Sequence, residues 1–300
     1  MRILCLFLLL LPVRTLSDEI TLSGPPIWES APLIALAETQ PVDGVSFTFR
    51  PWTTPEELRK WLMADEPLMA IAPAPVAAIF AANGLNLKIV SATITEGSLS
   101  IVGRGAPIER LEDLSGTTLA LPFKGYLPDL LMHRIAAPGP ESWTPFYTGS
   151  LVAGMQLVLA GRADTALLAE PMATLALAQD PNLTRRADLC ALWRGATALV
   201  DCPPAGVVIV NRAFDGRPEV IAAYSAAFAK LATKPSTAAA LLDLHFPNMR
   251  QAAQGFSRIE PHSLPMPENA AVLSGFYGEL LTVEPAAIGG ALPNSTLYGP

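Results

Sequence analysis

Short apolar runs alternate with helical patterns along most of the chain. The run 117–121 (TTLAL) is β-branched and apolar, residues 122–125 interrupt it, and a helical spacing of apolar residues extends from Tyr126 to about Ile135. A buried strand that enters a helix through a short glycine-containing loop is half of a βαβ unit. Ligands of open α/β sheets bind at the carboxyl ends of such strands, beside helix N-termini with unpaired N–H groups. The stretch 113–131 therefore predicts a strand, a loop that faces a ligand, and a helix.

The same alternation recurs on both sides of this stretch. Strands are predicted at 19–22, 45–50, 68–72, 87–93, 99–104, 163–168 and 206–210. Helices are predicted at 33–38, 55–64, 76–82, 151–160, 172–179, 220–231 and 268–281. Strands and helices that alternate at short intervals are typical of mostly parallel sheets flanked by helices, so the predicted fold class is α/β.

The first 17 residues predict an export signal rather than part of the fold. Arg2 supplies a positive charge, residues 3–11 are nine consecutive apolar residues, and Ser17 ends a small-residue cleavage site. About 20 apolar residues are needed to span a bilayer, so this run is too short. We expect a cleaved signal peptide at 1–17 and a periplasmic mature protein.

Charge limits the classes of partner. The leader contains Arg2 and Arg14 and no acids, so the 20 basic and 27 acidic residues of the chain become 18 and 27 in the mature protein, a net charge of −9. Nucleic acids and anionic membrane surfaces select basic patches, so neither is expected as a partner. A small ligand is compatible with this charge. Apolar residues make up 51% of the chain, enough core for one large domain or two smaller ones.

Two cysteines, Cys190 and Cys202, remain after the leader. An oxidising compartment permits a disulfide between them, and the alternative is two buried free thiols. The three histidines are scattered and no spacing matches a metal site, so we expect no metal and no cofactor.

Loops that follow predicted strands carry the candidate ligand residues. Trp28 and Tyr126 offer flat apolar walls, and Lys124 beside a helix N-terminus favours an anionic head group. Glu170 favours an amine, or it caps a helix through the macrodipole, which contributes about 0.3–1 kcal/mol. The structural alternative for Trp28 is packing in the core. For Lys124 it is an exposed side chain that contacts only solvent. The predicted ligand-binding set is Trp28, Ala74, Thr93, Thr95, Phe123, Lys124, Gly125, Tyr126, Thr148, Ser150 and Glu170.

Four stretches resemble, in the right order, one family of binding proteins. They are 24–38, 113–131 (DLSGTTLALPFKGYLPDLL), 160–171, and a closing segment that contains 284–293 (EPAAIGGALP). Together they resemble the nitrate/sulfonate/taurine and thiamine-precursor group of periplasmic solute-binding proteins of ABC importers. The chain departs from that group by carrying Phe123 and Lys124 where small polar residues are usual. It also lacks the cysteine run of the pyrimidine-synthase branch.

The resemblance implies a two-lobed α/β protein whose chain crosses between the lobes twice. Lobe one would comprise 18–103 and 206–300, and lobe two 104–205, with crossings near 103–105 and 203–206. The ligand would lie between the lobes of a monomer, and the closed shape would be recognised by a permease in the inner membrane. A disulfide between Cys190 and Cys202 would fix the base of the return crossing.

Two other functions stay open at this point. A sensory binding protein would present the same closed state to a membrane receptor instead of a permease. A secreted enzyme on the same fold is the other alternative, although the chain contains no G-x-S-x-G, H-E-x-x-H, P-loop or strand-linked G-x-G-x-x-G motif. We expect a binding protein and not an enzyme.

Overall fold

The computed structural model describes residues 18–299 except 138, 140–142, 205 and 248, and the predicted signal peptide lies outside these residues. The strands are β1 Glu19–Ser23, β2 Ser46–Phe49, β3 Leu68–Pro73, β4 Leu87–Glu96, β5 Leu99–Gly103, β6 Thr118–Leu121, β7 Thr144–Tyr147, β8 Thr165–Ala169, β9 Thr184–Asp188, β10 Gly206–Asn211 and β11 Glu260–Pro265. The helices are α1 Ala31–Ala37, α2 Pro55–Leu62, α3 Ala74–Ala82, α4 Leu127–Ala136, α5 Leu151–Leu159, α6 Met172–Gln179, α7 Leu189–Ala196, α8 Pro218–Ala232, α9 Pro235–Leu242, α10 Ala253–Phe256 and α11 Ala270–Leu281.

The strands form two mixed sheets. The six-stranded sheet has the order β11-β4-β10-β3-β1-β2, in which β1 is parallel to β2 and β3 while β10 is antiparallel to both β3 and β4. The five-stranded sheet has the order β7-β6-β8-β5-β9, in which β6 is parallel to β7 and β8 and β5 is antiparallel to β8 and β9. Helices flank both sheets, so the predicted α/β fold class is confirmed.

Local sequence explains why the central elements form. Every residue of β10 is buried, and β3 is buried except at Pro73, as expected for strands covered on both faces. Helix α2 begins with Pro55, and the Thr54 hydroxyl accepts a hydrogen bond from the Glu57 N–H, which caps the first turn. Leu58 and Leu62, at helical spacing, turn the same face of α2 to the core.

The first passage between the sheets lies earlier than the sequence predicted. Strand β5 pairs with β8, Leu99 opposite Ala169, so residues 99–103 belong to the five-stranded sheet and not to the first lobe. The chain therefore passes between the sheets at 97–98. Gly97 has a positive φ of 72°, and a Cβ there would lie 2.7 Å from the Arg258 carbonyl oxygen, so this tight connection requires glycine. Apolar pattern identifies a buried strand but does not identify its neighbours.

Helix α11 contacts both halves of the molecule, although the sequence placed it in lobe one. The Tyr277 hydroxyl donates a hydrogen bond to the carbonyl oxygen of Ala74 (2.8 Å). On the other side, the Arg134 Nε donates to the Glu279 carboxylate (2.6 Å). The ring of Phe276 lies 5.7 Å from that of Trp193.

A second contact joins the halves through α6. Helix α10 packs on α6, and Met172 contacts the core that lies under α1 and α8. The two halves are therefore in direct contact in this structure.

Strands β9 and β11 and helices α7 and α10 were not predicted. Strand β9 (TRRAD) is an edge strand with two arginines, and β11 (EPHSLP) is an edge strand with two prolines, so neither shows an apolar strand pattern. None of the helices within the described part of the chain is long and apolar enough to cross a membrane.

Candidate functional site

Loops from both sheets meet at one interface. The carboxyl ends of β1, β3 and β4 lie at the edge of the first sheet where the chain leaves it, because these three strands run in the same direction. Strand β5 begins at the edge of the second sheet where its antiparallel neighbour β8 ends. The carboxyl ends of β6, β7 and β8 share that edge, since these strands are parallel. The predicted ligand residues therefore lie on the two sides of a single cleft, the interface between these edges. Thr93 and Thr95 lie inside strand β4, which extends to Glu96, and not in the loop after it.

Trp28 and Ala74 are buried on the first-sheet side of this cleft. Trp28 is 2% exposed and packs edge-on against Phe228, with the ring centroids 5.1 Å apart. Its ring therefore packs in the core and does not form an exposed wall of the cleft. Ala74 is fully buried and contributes its carbonyl oxygen as the acceptor for Tyr277.

Glu29, which the sequence analysis did not select, lies beside Thr93 and Thr95. It belongs to the 3-10 turn Trp28–Ser30 and is 4% exposed. The Thr95 hydroxyl donates a hydrogen bond to its carboxylate. Burial raises the pKa of Glu29, and the Thr95 hydrogen bond only partly opposes that rise. The only sequence signal was an acidic residue shortly after the Gly-Pro-Pro break that follows the first strand, separated from it by Ile27 and Trp28.

The hydroxyls of Thr93 and Tyr224 lie in the same buried cluster. The two hydroxyls interact with each other, and neither forms a hydrogen bond of normal geometry with a described residue. Burial raises the pKa of the Tyr224 hydroxyl, the nearby charge of Glu29 raises it further, and the interaction with Thr93 partly opposes that rise. The cluster thus combines one acid and three hydroxyl groups in an apolar setting.

Asp129 holds the loop that carries Lys124. Its carboxylate accepts hydrogen bonds from the Gly125 N–H (2.7 Å) and from the Tyr147 hydroxyl (3.0 Å), and the side chain is buried. Gly125 has a φ of 74°, the left-handed conformation that glycine adopts without strain. The Lys124 ammonium is exposed and lies 5.9 Å from the centroid of the Tyr147 ring. An acid in the first turn of the predicted helix was the available signal for Asp129.

Of the two aromatic residues in this loop, Tyr126 faces the other half of the molecule. Phe123 is 37% exposed, and its ring centroid lies 5.4 Å from that of Tyr126. Burial raises the pKa of Tyr126, and the carboxylate of Glu56 on α2 raises it further. Tyr126 therefore lies near the N-terminus of a helix that flanks the opposite sheet.

A pocket of about 340 Å³ opens beside this loop. Lys124 and Gly125 line it together with α4, and Val283 and Glu284 close it from the segment that follows α11. Of the predicted set, the structure brings these two residues into one pocket.

Thr148 and Ser150 serve the backbone. The Thr148 Oγ1 lies 2.8 Å from the Ser150 carbonyl oxygen and 3.2 Å from that of Leu121. The Ser150 hydroxyl accepts from the Ala153 N–H and caps α5. Both side chains therefore stabilise the loop after β7, a structural role that the sequence analysis did not assign.

Glu170 is neutralised within the protein. Its carboxylate forms an ion pair with Arg185 and accepts a hydrogen bond from the Thr174 N–H (3.2 Å) in the first turn of α6. Arg185 also donates to the Thr174 hydroxyl (2.6 Å), and its buried Nε has no partner among the described residues. This arrangement corresponds to the helix-capping alternative for Glu170. Arg185, its partner, was not selected from the sequence.

Cys190 and Cys202 form a disulfide with their Cα atoms 5.1 Å apart. A small cavity of about 20 Å³ lies beside it, lined by Thr95, Ser98 and Pro203 among others. The disulfide therefore lies between the two chain passages. Among the described residues, the group of potential metal ligands is Glu96 with these two cysteines, whose sulfur atoms are bonded to each other.

Comparison with solved structures identifies the fold. A crystal structure of an ABC transporter from Parabacteroides distasonis matches 94% of this chain and 98% of its own, with 22% identity and a TM-score of 0.78. The periplasmic aliphatic sulphonate binding protein of Escherichia coli matches 93% of this chain and 90% of its own, with 15% identity and a TM-score of 0.69. The alkanesulfonate-binding protein of Xanthomonas axonopodis pv. citri, bound to MOPS, matches 93% and 96%, with 15% identity and a TM-score of 0.66.

No family model and no curated protein matches the chain. At these identities the structural likeness establishes a two-lobed α/β fold, shared with an ABC transporter structure and two sulfonate-binding proteins.

Proposed function

We propose that the protein is the extracytoplasmic solute-binding component of an ABC importer. It captures a small organic ligand between its two lobes and delivers it to a permease in the inner membrane. The observation that carries this proposal is a shared fold over 94% of the chain with an ABC transporter structure, and over 93% with two sulfonate-binding proteins. The solved relatives are named as binding and transport proteins, which supports a binding role and not a catalytic one.

The two sheets define the lobes of this proposal. Lobe one contains the six-stranded sheet and lobe two the five-stranded sheet, with the first crossing moved from 103–105 to 97–98. The return crossing follows the disulfide at Cys202. Closure about two such crossings encloses a ligand and creates the surface that a permease recognises. The protein acts as a monomer in this proposal.

The exposed loop of lobe two supports a class of ligand for this proposal. Lys124 lies just before the N-terminus of α4, whose unpaired N–H groups favour a negative charge. No described carboxylate forms an ion pair with Lys124. Glu170, which would favour an amine, is already paired with Arg185. These observations support an anionic or zwitterionic ligand of the nitrate/sulfonate/taurine class, with Phe123 and Tyr126 as its apolar neighbours.

The test is the small molecule that the protein carries. The chain is expressed with its leader, purified without denaturation from the periplasmic fraction, incubated with an ultrafiltered cell extract and washed. Native mass spectrometry should show the mature protein with one small organic molecule, which denaturation releases. A protein that stays in the cytoplasm, or one that captures nothing from the extract, contradicts the proposal.

A further inference from the structure

An acid without a basic partner is buried at the strand-end edge of the first sheet. Glu29 is 4% exposed, and no described lysine, arginine or histidine forms an ion pair with it. Its one side-chain partner is the hydroxyl of Thr95. Burying an unpaired carboxyl group destabilises a fold, so such groups concentrate at sites where they have a task.

Two further polar groups lie in this cluster. The hydroxyl oxygens of Thr93 and Tyr224 are buried, and both residues are 0% exposed. The two hydroxyls interact with each other, and neither forms a hydrogen bond of normal geometry with a described residue. Glu29, Thr93 and Tyr224 reach this point from three different elements, a turn, a strand and a helix. After these contacts, the carboxylate and the two hydroxyl oxygens keep lone pairs that can accept further hydrogen bonds.

The cluster adjoins the cleft. A Cβ on Gly206, the first residue of β10, would lie 3.6 Å from the Cγ of Glu29, and Gly206 pairs with Thr93. Thr95 also lines the small cavity between the two passages. The acid therefore lies beside a residue that lines this cavity, close to the passages between the two lobes.

The two acids near the cleft differ in one respect. Glu170 has an arginine and a backbone N–H as partners, so its charge is satisfied. Glu29 has the Thr95 hydroxyl and its own backbone N–H as donors, and no positively charged partner among the described residues. A positively charged nitrogen group of a ligand would supply the missing partner, and an ammonium group would use the three available acceptors.

We infer that Glu29, with the hydroxyls of Thr93 and Tyr224, forms a subsite for a positively charged nitrogen group of the transported solute. This inference rests on the proposed function. With Lys124 on the other lobe, it narrows the ligand to a zwitterion that carries an amino or amidine-like group beside its anionic head. Burial holds the pKa of Glu29 above its usual value in the empty protein, and a cation at this position favours the ionised carboxylate.

The test extends the capture experiment with matched variants. Glu29→Gln keeps the shape and the acceptor for Thr95 but removes the charge, and Thr93→Val removes one acceptor. Glu38→Gln, an exposed acid, is the control. The parent should capture from the extract a molecule whose accurate mass and fragmentation show a basic nitrogen. Both cluster variants should bind that purified molecule on the order of tenfold more weakly by calorimetry, and the control should bind it like the parent.

The outcomes separate this inference from the proposed function. A parent that captures a molecule without a basic nitrogen overturns the inference and leaves the transport proposal intact. Folded Glu29→Gln and Thr93→Val variants that bind the captured molecule as tightly as the parent also overturn it. A parent that captures nothing contradicts the proposed function, and the inference fails with it.

Discussion

Arg185 lies beside Glu170 and forms an ion pair with its buried carboxylate. Glu170 follows β8, and Arg185 lies in the edge strand β9, so the pair connects two strands of the second sheet through their side chains. The Glu170 side chain is 1% exposed and that of Arg185 is 18% exposed. An acid that the sequence presents as a candidate ligand contact is therefore an internal partner.

Removing one partner of this pair should destabilise the fold. Arg185→Ala leaves a buried charge without a partner, which costs about 3–5 kcal/mol. Glu170→Gln combined with Arg185→Ala should cost less than the sum of the two single changes, because the double variant contains no unpaired charge. Denaturant unfolding gives the free energies. Arg212→Ala, which breaks an ion pair between exposed side chains, is the control and should leave the unfolding midpoint nearly unchanged. Strict additivity would show that the two residues do not interact.

Trp28 and Lys124 should behave differently when each is changed to alanine. Trp28→Ala removes a buried ring from the core against Phe228, so we expect a loss of stability of about 3–5 kcal/mol. Lys124→Ala affects an exposed side chain and should leave the melting temperature unchanged. It should weaken binding of the captured solute about tenfold, or 1.4 kcal/mol. Calorimetric titration and thermal unfolding of both variants check this. A Lys124→Ala variant with parental affinity would place the anionic subsite elsewhere.

Gly255 permits the close approach of α10 to α6. A Cβ at this position would lie 2.5 Å from the Glu170 Oε2 and 3.0 Å from the Thr174 Oγ1. Gly255→Ala should therefore oppose closure. Small-angle scattering of the parent should show a smaller radius of gyration with saturating captured solute than without it, and the variant should show a smaller decrease. Gly278→Ala is the control, because a Cβ there meets no atom within 4 Å. Equal decreases in all three proteins would refute this role for Gly255.

The disulfide should be present in the exported protein and should contribute to its stability. Thiol titration of the denatured, unreduced mature protein should find no free thiol, because Cys190 and Cys202 are bonded. The pair closes a loop over a sequence separation of 12 residues, and reduction should cost about 3 kcal/mol in the chain-entropy account. Denaturant unfolding with and without reductant measures this. Two free thiols in the oxidised sample would contradict the prediction.

Glu29 should make the stability of the empty protein depend on pH. Burial raises its pKa above the usual 4.5, so the folded state keeps a proton that the unfolded state releases. The stability associated with this proton is complete below the unfolded pKa and is lost as the pH rises through the folded pKa. Glu29→Gln removes that loss, so its melting temperature relative to the parent should rise with pH. Thermal scans at a series of pH values that starts below the usual pKa of 4.5 and rises from there check this trend. Tyr224 is the other titratable group in the cluster. A difference in melting temperature that stays constant with pH would contradict this prediction.

Much of the fold follows from local pattern. The run 68–72 is continuously apolar and forms a strand, and Thr54 followed by Pro55 marks a helix start, so β3 and α2 lie where they were predicted. These signals depend on neighbours within a few residues. The same reasoning missed β9 and β11, which are polar or proline-containing edge strands that pair only because another strand is already in place.

In the candidate site, too, local sequence predicted some features and only the folded structure decided the others. Sequence by itself located the loop that carries Lys124, because a strand, a glycine turn and a helix start follow one another within it. Only the tertiary structure paired Glu170 with Arg185, buried Trp28 against Phe228, and placed Glu29 beside Thr95. Whether a charged or aromatic side chain is buried or paired depends on its partners. Arg185 lies 15 residues from Glu170 along the chain, Thr95 lies 66 residues from Glu29, and Phe228 lies 200 residues from Trp28. Local propensity contains no information about contacts at such separations, and burial and charge pairing are decided only when the chain has folded.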